Sequence, residues 1–163
     1  MNEYFSFSAA GQIFALNEHL PFLCELREET ENELHIFVCA SEVVDDNAKG
    51  FSDNANLNAL LEGCKPIHPN KNQIFEIVFE NYIIYQVRNE SYCSFDPTEV
   101  RNGKFLIIFE RSKLLEYLST ATDACQLDDG SFYPDKWIHY GVYTQNHIID
   151  IISQEEPKVY RKS

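Results

Sequence analysis

Residues 74–87, IFEIVFENYIIYQV, decide how this chain folds. Two runs of β-branched and aromatic residues, Ile74–Phe79 and Tyr82–Val87, flank Glu80-Asn81, a plausible tight turn. Strands joined by so short a link favour antiparallel pairing, because parallel neighbours need a crossover of a dozen or more residues. The expected architecture is therefore an α+β fold, one domain over 1–163, built on a mainly antiparallel sheet with a few packed helices.

Other runs on either side fit that sheet. Residues 34–40 (LHIFVCA) are an apolar run of strand length, expected to be buried on both faces. Residues 105–109 (FLIIF) form another and lead directly into Ser112-Lys-Leu-Leu-Glu-Tyr-Leu. Ser112 is a natural N-cap, and Leu114, Leu115 and Leu118 give the 112–119 helix one apolar face to lay on the sheet. Residues 137–143 and 147–152 read as a hairpin turning around Gln145-Asn146. Leu57, Leu60 and Leu61 recur at helical spacing, with Gly63 placed to end that helix.

The rest is less regular. Tyr4, Phe5 and Phe7 suggest a short strand ending at Ala9-Ala10-Gly11, and Pro21 interrupts any helix through 13–26. Residues 45–56 (DDNAKGFSDNAN) have loop chemistry and are expected to be flexible. Pro66 and Pro69 are expected to break the chain, and the tail 155–163 to fray.

Composition narrows the function. The chain has 26 Asp and Glu against 13 Lys and Arg, a formal charge of −13, and residues 1–82 alone carry −10. Such a field repels nucleic acid and anionic membranes and attracts basic proteins. No apolar run approaches the ~20 residues of a membrane helix. The opening residues MNEYFSFS have neither a basic nor an apolar leader segment. Five cysteines (Cys24, Cys39, Cys64, Cys93 and Cys125) form an odd set without a CxxC pair, so all are expected reduced in the cytoplasm, with Cys39 buried.

Motifs for cofactors are missing: no GxGxxG, no GxxxxGK[ST] and no GxSxG. Metal ligation lacks a pattern too. Cys64 and His68 stand among prolines, and His35 and Cys39, four apart in one strand, are separated by ~13 Å. Neither a cofactor nor a metal is expected. Cys93 in a loop, with His139, His147 and Asp150 downstream, supplies the residue types of a thiol enzyme but no signature of one.

With these absences, the acidic charge is the positive clue. It fits an inhibitor or immunity-type protein that occupies a basic site on a partner such as a toxin. The candidate contacts are Glu25, Glu28, Glu29, Glu31, Glu33, Asp45, Asp46 and Asp53, which flank LHIFVCA on both sides. Two alternatives stand beside it: a small enzyme using Cys93 with His139 or His147, and a homo-oligomeric structural module. A pocket joining Cys93 to either histidine would favour the enzyme.

Overall fold

The computed structural model describes residues 3–44 and 52–162. Antiparallel strands dominate, with three α-helices among the described residues. One sheet contains β1 (Glu3–Phe5), β2 (Phe22–Glu28), β3 (Glu33–Val43), β4 (Ile67–Glu80) and β12 (Lys158–Lys162), in the order β1-β12-β4-β3-β2. The other contains β5 (Tyr82–Asn89), β6 (Val100–Asn102), β7 (Leu106–Arg111), β10 (Ile138–Tyr143) and β11 (His147–Ser153), in the order β5-β11-β10-β7-β6. A short ribbon pairs β8 (Cys125–Gln126) with β9 (Phe132–Tyr133).

The two large sheets share one core. Leu34, Ile36 and Val38 on β3, with Phe75, Ile77 and Phe79 on β4, pack in one cluster with Tyr140, Val142, Ile149 and Ile151 from β10 and β11. Alternate residues therefore face the opposite sheet, as the two-residue period of a strand requires. Each such side chain contributes about 1.5–3 kcal/mol by leaving water. Helix α1 (Phe7–Ala15) joins the same cluster through Phe7, Ala10 and Phe14.

Several expectations need correction. Phe7–Ala15 is helical, not the end of a strand: Ser6 caps it by accepting from the Ala9 N–H, and the Glu156 carboxylate accepts from the Phe7 N–H. The two halves of IFEIVFENYIIYQV are strands, but they do not pair with each other. β4 lies between β3 and β12, and β5 pairs with β11 in the other sheet. Asn81, at φ 73°, is the corner between the sheets. Asparagine is one of the few residues that adopt this left-handed conformation readily.

Pro69 does not end its strand. It lies within β4 opposite Ser41, beside the register shift between Cys39 and Ser41. Nor does the tail fray over Lys158–Lys162: β12 is hydrogen-bonded to β1 on one side and β4 on the other, with Val159 fully buried. Helix α2 (Ala55–Leu61) takes the end of the expected loop. Asn54 caps it and Gly63, at φ 91°, follows its C-terminus. Residues 45–51 of that loop lie outside the described residues.

The remaining helix, α3 (Lys113–Ala121), matches its expectation. Ser112 caps it, and Leu114, Leu118 and half-buried Leu115 pack against Ile83, Ile84 and Ile152 on the outer face of the second sheet. That sheet is thus covered on both faces around β10 and β11, which accounts for their nearly continuous burial.

Candidate functional site

Two places gather the chemistry, one on the outer face of each large sheet. On the second sheet, the register puts four polar groups together. Tyr140 and Val142 point into the core, so His139 points out; Ile149 and Ile151 point in, so Asp150 points out. Gln86 is paired with Asp150 across β5–β11, and Arg88 is one pleat away. Gly141 is opposite Asp150 on β10. A Cβ at Gly141 would lie 3.0 Å from the Phe109 ring and 3.1 Å from the Tyr143 ring.

Asp150 is the centre of this group and is almost completely buried. Its Oδ2 accepts from Arg88 Nε at 2.9 Å, Arg88 Nη2 at 2.8 Å and Gln86 Nε2 at 3.1 Å. Its Oδ1 is 3.2 Å from His139 Nε2. Burial pushes the carboxyl up, but His139 and Arg88 outweigh it and hold Asp150 below its usual range. His139 stacks on Phe109 at 4.1 Å, and its Nδ1 is 2.7 Å from Ser112 Oγ, which accepts from the Leu115 N–H. A neutral ring with its proton on Nε2 satisfies the whole chain: it donates to Asp150 and accepts from the Ser112 hydroxyl.

Ser112, His139 and Asp150 have the residue types of a hydrolase triad, yet the serine is buried and caps α3. No substrate carbonyl reaches Oγ there, so the arrangement anchors α3 to the sheet. A pocket of about 150 Å³ opens beside it and is lined by Arg88, Cys93, Tyr143, His139 and Asp150 among others. Cys93 and His139 thus share a pocket, whereas His147 is not among its lining residues. The Cys93 thiol donates to the Asn89 carbonyl at 3.3 Å, and both nitrogens of His139 are already engaged. His139 has no free nitrogen with which to take a proton from Cys93.

The other place is the outer face of the first sheet and the β2–β3 turn. Glu25 and Glu29 hold Arg27 between them, at 2.8 and 2.5 Å. His35 lies between Glu76 on Nδ1 (2.8 Å) and Glu33 on Nε2 (2.7 Å), and Lys162 pairs with the second Glu76 oxygen. Lys158 pairs with Glu80 at 2.5 Å. Burial pushes His35 down, but the carboxylates on both nitrogens carry it above its usual value. Glu29, Glu33 and His35 bring ligand atoms within 4.8 Å of one another, the spacing a metal could use. In this structure, carboxylates hold both ring nitrogens instead.

Of the expected contacts, Glu25, Glu29 and Glu33 are thus held in ion pairs. At the turn Glu28, Glu29 and Glu31 are exposed and Glu33 is half-buried, and the five glutamates from 25 to 33 outnumber Arg27 and His35. Glu28 also accepts from the Tyr82 hydroxyl at 2.5 Å. Asp45 and Asp46 lie outside the described residues, and Asp53 precedes α2 beyond the far end of β3. Eleven residues of strand put roughly 33 Å between the two ends of β3. At physiological salt that is about four Debye lengths, so charges at opposite ends of β3 are screened from one another.

The cysteine expectation also changes. Cys24 and Cys39 are disulfide-bonded, with Cα atoms 6.5 Å apart, and Cys39 is buried as expected. The pairing of β2 with β3 shifts register between Leu23 and Glu25, so Cys24 is the extra residue of a bulge beside Cys39. Cys64, Cys93 and Cys125 are free. Sequence reading did not find Arg88 or Gln86 as partners of Asp150. A signal was present: one aspartate inside the apolar run HIIDIIS must find a cationic partner if that run is buried.

Comparison with known proteins gives no match to a family model, a curated protein or a solved structure. None of the helices among the described residues is long and apolar enough to cross a membrane.

Proposed function

We propose that this protein is a binding module of the inhibitor or immunity type that inserts the acidic β2–β3 turn into a basic site on a partner protein. One observation carries this reading: Glu28, Glu29, Glu31 and Glu33 fall within six residues of a turn at the free edge of the first sheet. The Arg27 and His35 contacts fix two of these side chains before binding, which reduces the ordering cost on association. Carboxylates along β2 also set like charges against a second copy of that edge, which disfavours self-pairing there. Capture from a lysate of the source organism, with mass spectrometry, tests the reading. The wild type should retain a basic protein that the E28K/E29K/E31K variant loses. A partner retained equally by both removes the turn from the interface.

The enzyme alternative is favoured by one observation, the shared pocket of Cys93, His139 and Asp150. For it to hold, His139 must release Ser112 or Asp150 and turn toward the thiol. Iodoacetamide labelling checks this. Cys93 should react no faster than exposed Cys64, because no base touches it; a rate ten times higher moves the enzyme reading ahead.

A further inference from the structure

We infer that a groove between α3 and the 124–138 segment binds a small organic amine with an apolar body. The groove has a volume of about 690 Å³, within the ~300–1,000 Å³ typical of small-molecule sites. It is distinct from the acidic turn, which belongs to the other sheet.

The lining sets the ligand class. Leu115 and Leu118 of α3 form one wall, and Phe132 and Trp137 form another, their rings meeting edge to face at 4.9 Å. Leu118 is buried, whereas Phe132 and Trp137 are only half-buried and border open volume. A segment serving only as core would close to native density over such side chains. Glu110 and Glu116 are both exposed in the lining, which Lys136 shares. Asn102 donates to one oxygen of Glu110 at 2.8 Å, which holds that side chain in place.

Aromatic rings beside carboxylates are the combination that recognises ammonium groups. The ring faces attract a cation, and a carboxylate adds a charge-assisted hydrogen bond. The carboxylates of Glu110 and Glu116 attract a cation and repel an anion of the same shape. An apolar amine therefore fits both the walls and the rim, and a fatty acid or phosphate ester fits only the walls.

Trp137 is the chain's one tryptophan, so its emission reports on this groove without a label. Three probes of one shape, 4-phenylbutylamine, 4-phenylbutanol and 4-phenylbutyrate, separate charge from apolar contact. The amine should shift the emission saturably, with a Kd at least tenfold below that of the alcohol, and the carboxylate should be weakest. The E110Q/E116Q variant, its fold checked by circular dichroism, should bind the amine about tenfold more weakly and the alcohol unchanged. The E28K/E29K/E31K variant should leave all three affinities as they are. Equal affinity for the three probes, no saturable shift with any of them, or undiminished amine binding by E110Q/E116Q overturns the inference.

Discussion

Asp150 shows at the residue scale how one buried charge shapes its surroundings. Arg88, Gln86 and His139 all serve its two oxygens. Replacing it with alanine strips a buried histidine and a half-buried arginine of their partner, a loss of about 3–5 kcal/mol for such a pair. Asp150→Ala should therefore lower the urea midpoint sharply, and a midpoint within error of wild type would show the network to be idle. Its pH behaviour has a definite sign. A folded-state pKa below the unfolded value gives stability that is present above about pH 4 and lost as pH falls. His35 acts in the opposite sense, since its pKa is raised: its stabilisation is complete below about pH 6.5 and is lost as pH rises through the folded value. Unfolding free energy should decline from pH 6.5 upward in the wild type, and His35→Gln should flatten that decline. Thiol titration of denatured protein without reductant should count three groups, Cys64, Cys93 and Cys125. Five groups would return Cys24 and Cys39 to the reduced state first expected of them.

Helix α3 and strand β10 carry the argument at the scale of elements. Ser112 meets two demands at once, since its oxygen accepts from the Leu115 N–H and its hydroxyl serves His139. Loss of an N-cap costs about 0.5–2 kcal/mol, and an unsatisfied buried imidazole adds to it. Ser112→Ala should therefore destabilise by more than Asn54→Ala at the cap of exposed α2, measured by urea unfolding. Gly141→Ala should also destabilise, by about 1–3 kcal/mol, because the added methyl presses on the Phe109 and Tyr143 rings. A neutral result there would mean that the two rings move aside freely.

For the whole molecule, the question is how a charge of −13 is distributed. On the outer face of the first sheet it is largely neutralised by Arg27, His35, Lys158 and Lys162. At the β2–β3 turn five glutamates from 25 to 33 outnumber Arg27 and His35, so a net negative charge remains. Association with the captured partner should slow by tenfold or more between 20 and 300 mM salt, roughly the range over which the Debye length falls from ~20 to ~6 Å. Stopped-flow rates indifferent to salt would reduce the turn to a solubility device.

The runs LHIFVCA, IFEIVF, YIIYQV and FLIIF, the Ser112 cap and the 137–152 hairpin were legible in the sequence because local periodicity and capping chemistry specify them. The partners of β4 and β5 were not, because a two-residue link permits either a hairpin or a corner between sheets. Burial of both strands in a shared core decided for the corner. Phe7–Ala15 is helical with Gly11 inside it, and Lys158–Lys162 is a strand although it follows a proline, since each buries apolar side chains against distant elements. The sequence supplied Asp150, His139, Cys93 and the glutamates as residue types. Their meaning came from register, which placed Arg88 beside Asp150, Cys24 beside Cys39, and His35, Lys158 and Lys162 beside Glu76 and Glu80. Contacts such as Arg88–Asp150 and His35–Glu76, 62 and 41 positions apart, depend on the closure of sheets, and that closure is a property of the whole packed chain.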